Sequence, residues 1–348
     1  MRAVSEPTNG TDGRSRVTIR EIAELAGVSI ATVSRVVNGR DDVSAETREL
    51  VQRVVREHGY SVNRTARGLS AGRTGFVGVT VPKVAPAFFS AILSGAAEAL
   101  YEQDMRIVLC PTEHEHDREV SLLDRLMHGT TDGALLILPE ETNEELENLV
   151  NHGYRFVVVD PLKPLNERVP AVSAANSSGA NQAVRHLLDL GHRRIGAITG
   201  PTGWLAPQER KDGYHAALAS AGIMPDPALE VASDFLVEGG IEAGGRLLDL
   251  AEPPTAIFAF NDNLAIGAMQ AAHTRGLRIP EDLSIVGFDD IEWTQFVTPQ
   301  LTTVRQPLAE MGRMAVSLLT RLLDNQSIEA LHVELSTRFI VRGSTQRL

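Results

Sequence analysis

Apolar residues recur along the chain in two rhythms. Between residues 17 and 60 they keep the three-to-four spacing of amphipathic helices: Ile22, Ala23, Leu25 and Ala26, then Val33 and Val36, then Leu50, Val51, Val54 and Val55. From residue 74 the rhythm changes to short apolar runs that alternate with helical stretches. Seven runs read as strands, at 75–82, 106–112, 133–139, 156–161, 193–201, 255–262 and 283–290, and "SAILSGAAEALYEQ" (90–103) reads as a helix. Such alternation predicts parallel sheets with helices on both faces, and two successive sets of strands predict two similar lobes. The fold class is thus an all-α head followed by an α/β body of two doubly wound parallel-sheet lobes.

The head carries the signals of a helix-turn-helix. Thr18-x-x-Glu21 has the form of a capping box, and Gly27 suits a turn with positive φ. Ser29 and Ser44 stand where they can cap a second and a third helix, the third closing near Gly59. With Val33 and Val36 inward, the second helix shows Ile30, Ala31, Ser34, Arg35 and Asn38 outward. Arg35 has the geometry to bond guanine O6 and N7 together, Ser34 and Asn38 suit phosphates, and Ile30 and Ala31 suit thymine methyls. Thr18, Ser29 and Thr32 complete the set expected to face DNA. The bland alternative is a small three-helix bundle with another partner.

The formal net charge of −12 looks wrong for a DNA binder until it is divided. Residues 1–72 hold 11 Arg and 9 acidic residues, whereas residues 73–348 hold 22 Lys or Arg and 36 acidic residues. The acidity therefore belongs to the body, and "SVNRTARGLSAGR" (61–73) adds three arginines without an acid. Local phosphate contacts decide affinity, so a mildly basic head is compatible with DNA.

Other features exclude function classes. No apolar run is long enough to span a bilayer, and residues 1–16 lack the apolar core of a secretory signal, so they are expected to be a disordered lead-in. The lone Cys110 permits no internal disulfide and fits a reducing cytoplasm. The chain has no G-x-x-x-x-G-K-[ST], no H-E-x-x-H and no G-x-S-x-G, which argues against an enzyme. "CPTEHEHDRE" (110–119) gathers a cysteine and two histidines without ligand-spaced pairs, so it reads as a solvated turn; neither metal nor cofactor is expected.

Polar residues at strand ends are the candidates for binding, because ligands of α/β sheets sit there. Asp160 closes "FVVVD", Asn261 and Asp262 close "FAFND", and Asp289 and Asp290 close "VGFDD", with Arg210 nearby in "ERKDGY". Carboxylates, an amide and a guanidinium suit a hydroxyl-rich neutral ligand. Asp262 reads better as a helix cap than as a ligand, whereas Asp289 reads as functional. Trp204 can stack on a sugar ring or pack on its lobe, and the sequence leaves both open.

"TIREIAELAGVSIATVSRVVNG" followed by "VSAETRELVQRVVREHGYSVNRTARGL" resembles the LacI (lactose-repressor) family of bacterial transcription regulators over essentially the whole chain. The resemblance implies a hinge at 61–73 in which Asn63, Arg64, Ala66, Arg67 and Leu69 meet DNA, Leu69 as a wedge in the minor groove. Gly68 stands where the family often has serine, which implies a floppier hinge. It also implies a body of periplasmic-binding-protein type, with the chain crossing between lobes near 174–177, 302–307 and 332. The implied domains are a head at 17–60, a first lobe at 74–175 and 306–331, and a second lobe at 176–305 and 332–348. Asp160, Arg210, Asn261 and Asp289 match effector-contacting positions, and Phe88 and Phe89 stand where the family often has "NPFF". No leucine heptads trail the last strand, so a homodimer is expected. The expected protein is cytoplasmic, a repressor of a carbohydrate-utilisation operon that reads a pseudo-palindromic operator, with a sugar effector between its lobes. A purine-responsive repressor, or a sugar sensor whose head contacts protein, is the alternative.

Overall fold

In a computed structural model of the chain, residues 17–37, 40, 42–60 and 73–348 are described, and the chain divides into two units between Thr74 and Gly75. The first unit holds α1 (Ile19–Ala26), α2 (Ile30–Val37) and α3 (Ala45–Glu57). Its capping box is complete: the Glu21 amide donates to Thr18 Oγ1 at 3.3 Å, and the Thr18 amide to Glu21 Oε2 at 2.6 Å. Gly27 ends α1 at φ 62°, a conformation that costs glycine little. Ser29 and Ser44 accept from the amides of Thr32 at 3.1 Å and Thr47 at 3.3 Å, capping the next two helices.

Ile22, Ala23, Ala26, Val33, Val36, Val51 and Val54 form the head's core. Leu25 and Leu50, expected in the apolar stripes, are instead 54% and 38% exposed. The reason for Leu25 is angular. At 100° per residue it stands roughly 100° from the mean direction of Ile22, Ala23 and Ala26, too far round for so small a core.

The second unit holds twelve strands. They are β1 (Phe76–Val81), β2 (Arg106–Pro111), β3 (Gly133–Ile137), β4 (Phe156–Val159), β5 (Ala171–Ala174), β6 (Ile195–Thr199), β7 (Glu230–Ala232), β8 (Ala256–Ala259), β9 (Ser284–Asp289), β10 (Thr302–Arg305), β11 (His332–Leu335) and β12 (Arg338–Ile340). The helices are α4 (Ala87–Glu102), α5 (His116–Arg125), α6 (Asn143–Asn151), α7 (Asn176–Asp189), α8 (Leu205–Ser220), α9 (Val237–Leu248), α10 (Asp262–Thr274) and α11 (Leu308–Leu323). One sheet runs β11-β5-β4-β3-β1-β2 and the other β12-β10-β9-β8-β6-β7. Every ladder is parallel except β10 with β12.

Each sheet is covered on both faces. In the first lobe α4 and α11 pack on one side and α5 and α6 on the other. In the second, α7 and α8 oppose α9 and α10. The chain crosses between lobes after β5, after β10 and after β11. The third crossing was expected near 332, but His332–Leu335 pairs in parallel with Ala171–Ala174 and belongs to the first sheet. The amides of Ala171 and Ala175 bond to Leu331 and Leu335 carbonyls at 2.8 and 2.9 Å, so the ladder holds the chain until residue 335.

Helix α11 returns to the first lobe by lying close against α4. A Cβ on Gly95 would strike the Ala309 carbonyl, and one on Gly312 the Ile92 carbonyl. Gly95→Ala must push these helices apart and is expected to destabilise the body by about 1–3 kcal/mol. Chemical denaturation checks this; an unchanged midpoint would show that the crossing tolerates a methyl group.

Candidate functional site

On the head, α2 carries the expected outward face. Ile30 is 43% exposed, Ala31 and Arg35 are exposed, and Thr32 and Ser34 are partly buried. Thr18 and Ser29 spend their hydroxyls as caps, and Ser29 Oγ lies 2.8 Å from Thr32 Oγ1. Arg35 Nε rests 3.4 Å from Asp42 Oδ2, with both side chains more than half exposed at 56% and 58%. Exposed pairs of this kind contribute about 0–1 kcal/mol, so the guanidinium can be drawn off by a guanine or a phosphate at little cost. Asn38, Asn63, Arg64, Ala66, Arg67 and Leu69 lie outside the described residues.

The body's site gathers around one buried cation. Arg210, in the second turn of α8, is 3% exposed. Its Nε donates to Asn176 Oδ1 at 2.9 Å, one Nη donates to the Phe260 carbonyl, and that Nη is 3.7 Å from Asp289 Oδ1. The guanidinium carbon lies 4.0 Å over the Phe288 ring and 6.0 Å from that of Phe235. Gln306 Nε2 donates to Asp289 Oδ1 at 2.7 Å, and Asn176 Nδ2 donates to Glu209 Oε2 at 3.0 Å. Asp160, from the first lobe, is buried close enough to act electrostatically on Arg210.

Backbone strain marks the same places. Asp160, Phe235, Asp289 and Asp290 have φ of 55°, 66°, 114° and 58°, a left-handed region that non-glycine residues occupy at a cost. Burial pushes Asp160 up to about 6 and Asp289 up to about 7, against the pull of Arg210 on both. Burial also lowers Arg210 from its ordinary value, while Asp289, Asp160 and Glu209 oppose the drop.

The strand-end acids separate into distinct roles. Asn261, not Asp262, caps α10: its Oδ1 accepts from the Leu264 amide at 2.8 Å. Its Nδ2 donates to the Phe235 carbonyl at 3.1 Å. Asp262 is fully buried one residue later, where it accepts from the Thr303 hydroxyl and from the Ile291 amide at 2.9 Å. Asp290 is held by Arg305 and Arg342 at 2.5 and 2.6 Å, away from its neighbour's partners.

The aromatic residues also differ from expectation. Phe89 lies in the first lobe's core with Phe88 edge-on at 5.3 Å and only partly buried. Trp204 precedes α8 of the second lobe, yet packs against the first lobe's core, 5.8 Å from the His114 ring and 6.2 Å from Phe235. Two bonds flank it across the lobes: the Leu205 amide to the Leu162 carbonyl at 2.8 Å, and Lys163 Nζ to the Gly203 carbonyl at 2.7 Å. Trp204 therefore joins the lobes, a placement the sequence reading did not foresee. That reading also missed Asn176, Glu209, Phe235 and Gln306. In the 110–119 segment, His114 pairs with Glu140 at 3.1 Å and His116 with Glu145 at 3.0 Å.

The raised carboxyls set the sign of a pH dependence. The folded protein keeps protons on Asp160 and Asp289 that the unfolded chain has released above the ordinary value of 3.8. Stability from these groups is full at low pH and is lost as pH rises through about 6 to 7. Asp289→Asn should flatten the fall in stability between pH 5 and about 7, read by denaturation at stepped pH. An identical slope in the variant would mean that Asp289 is ionised throughout.

Residues 18–63 match the bacterial regulatory proteins of the lacI family, and residues 184–345 match a periplasmic binding protein-like domain. The chain is 37% identical to the HTH-type transcriptional repressor CytR of Escherichia coli (strain K12) over 95% of its length and 97% of that protein. Among solved structures it is similar to the lac repressor dimer bound to operator and the anti-inducer ONPF, with a TM-score of 0.86 and 27% identity, covering 95% of this chain and 100% of that one. It is also similar to the transcriptional regulator CelR–cellobiose complex, with a TM-score of 0.73 and 35% identity over 94% of this chain and 100% of that one. The chain therefore belongs to the lacI family of bacterial regulatory proteins, as a transcriptional repressor with a helix-turn-helix head and a two-lobed α/β body.

Proposed function

We propose that the protein is an effector-controlled repressor of a carbohydrate-utilisation operon, cytoplasmic and without enzymatic activity. It acts as a homodimer whose paired heads read a pseudo-palindromic operator. The observation that carries the sugar reading is the set around Arg210. Asp160, Asp289, Asn176 and Gln306 supply acceptors and donors for hydroxyl groups, and Trp204 and Phe235 supply ring faces. The CelR complex holds cellobiose, and the same ligand class suits this donor and acceptor set. A purine competes for the reading because the same rings can stack on a base.

In this mechanism the effector bonds to Asp160 from one lobe and to Arg210 and Asp289 from the other. It thereby changes the angle between lobes and the spacing of the two hinges in the dimer. Whether residues 61–73 order on DNA, with Leu69 wedged into a kinked step, then depends on the effector. A coupling of about 1–3 kcal/mol is enough for such control.

Selection of bound sites from random duplex DNA, with and without pooled sugars and purines, tests the reading directly. A symmetric motif whose recovery changes with sugar supports it; a motif that responds only to purines transfers the crevice to the competing ligand. On the selected site Arg35→Ala is expected to weaken binding by about 1–3 kcal/mol and to relax preference at one base pair per half-site. Unchanged affinity would remove Arg35 from base readout. Asp160→Asn should leave operator binding intact and blunt the effector response, and loss of operator binding instead would make Asp160 structural.

A further inference from the structure

Away from the crevice residues, the first lobe contains a second buried polar cluster with an imbalance of charge. Thr80 is fully buried on β1, Glu119 on α5 is 1% exposed, and Glu141 in the β3–α6 loop is 6% exposed. Most of their oxygens lack partners: Thr80 Oγ1, Glu119 Oε1 and both Glu141 carboxylate oxygens make no hydrogen bond. The other Glu119 oxygen accepts from the Glu140 amide at 2.9 Å. Thr80's hydroxyl lies near Glu119, and Glu141's own amide near its carboxylate, close enough to favour the charged forms but without closing a hydrogen bond, and the Glu119 charge opposes that of Glu141.

Positive charge is scarce here. His116 is the cation that acts on both carboxylates, and its ring is already engaged, with Nε2 3.0 Å from Glu145 Oε2 and Nδ1 3.5 Å from Asp117 Oδ1. Glu140 and Glu145 add further negative charge from the loop and from α6. Buried carboxylates are expensive unless they are paired, bonded or ligating a metal. Burial, then the Glu119 charge, push Glu141 up to about 8, and burial, then the Glu140 charge, push Glu119 upward.

We infer that Thr80 Oγ1, Glu119 Oε1 and the Glu141 carboxylate bind one hard divalent cation, of the Mg2+ or Ca2+ class. The donors are all oxygen, as such ions require, and the two free oxygens of Glu141 allow either one or two bonds. Two carboxylates also balance the charge of a divalent ion. Among the described residues no group of three or more His, Cys, Asp and Glu is arranged for a metal, so the site is a smaller one of two carboxylates and a hydroxyl. The ion ties β1, α5 and the β3–α6 loop together, and makes the stability of the first lobe depend on the cation.

The test uses the full chain, stripped with a chelator, in thermal unfolding at matched ionic strength with Mg2+ or Ca2+ added alone. The wild type should show a saturable rise in Tm, and titration calorimetry should give one ion per chain. Glu141→Gln and Glu119→Gln should abolish the saturable rise. Thr80→Val, isosteric with the original, should weaken the ion by about tenfold or more, and it serves if a glutamine variant fails to fold. Equal responses in wild type and variants would assign the effect to surface acids and overturn the site. A wild type indifferent to both ions, with Glu141→Gln more stable than it, would overturn the site in favour of a shared proton.

Discussion

A guanidinium that is 3% exposed must be paired, and the pairing of Arg210 governs the body's geometry. Leaving such a charge without partners costs several kcal/mol, more than most single contacts contribute. Its partners come from the ends of separate elements: the Phe260 carbonyl after β8, Asp289 at the end of β9 and Asn176 at the start of α7. Asp289 is itself fixed by Gln306, after β10. Asn176 and Gln306 sit in two of the three segments by which the chain passes between lobes. The ion network is therefore built into the joints of the body, and any ligand that competes for Arg210 or Asp289 also acts on those joints.

Trp204 extends the same logic to the rim. It belongs to the second lobe by connectivity but buries its ring against the first, with a main-chain bond and a lysine bond beside it. A ring in that position reports on closure, because opening the lobes exposes it. Phe235 connects the rim to the interior, lying 6.2 Å from Trp204 and 6.0 Å from Arg210. Its carbonyl accepts from Asn261 and Asn263 at 3.1 and 3.3 Å, which anchors its left-handed backbone. Ring faces and charge thus converge from different chain segments on one volume.

Much of this was legible in the sequence wherever a residue's environment is set by its own neighbours. The head's caps, Gly27 and the inward valines follow from spacing alone, as do strands such as "FVVV" that are apolar throughout. What was not legible depends on pairing with distant segments. β5 (AVSA), β7 (EVA), β10 (TTVR), β11 (HVEL) and β12 (RFI) are three or four residues long, and several mix polar with apolar positions. A neighbouring ladder, not an apolar run, makes them strands. Because β5 and β10 were unseen, the amides that follow them, Asn176 and Gln306, could not be recognised as strand-end residues. The third crossing was misplaced for the same reason, since the alternating exposure of β11 along the sheet edge gives a weak signal. Asp160, Arg210 and Asp289 were found because each follows a strong apolar run or sits in a clear helix.

The division of charge has a physical rationale beyond solubility. Residues 73–348 carry an excess of 14 acidic side chains, yet phosphate attraction acts over a Debye length of about 8 Å at physiological salt. A phosphate contact made by a head arginine falls within that distance, whereas charges more than a Debye length from the phosphates are screened. Acidic charge beyond that distance therefore subtracts little from a specific complex. It bears more heavily on unspecific encounters, in which any face of the protein can approach the polyanion. If Arg35 reads a base as proposed, the Arg35–Asp42 pair works in the same direction at shorter range, since a weak exposed partner holds the side chain until a better one displaces it. On the proposed reading, selectivity in this head is sharpened by acidic side chains such as Asp42, while its arginines provide the attraction.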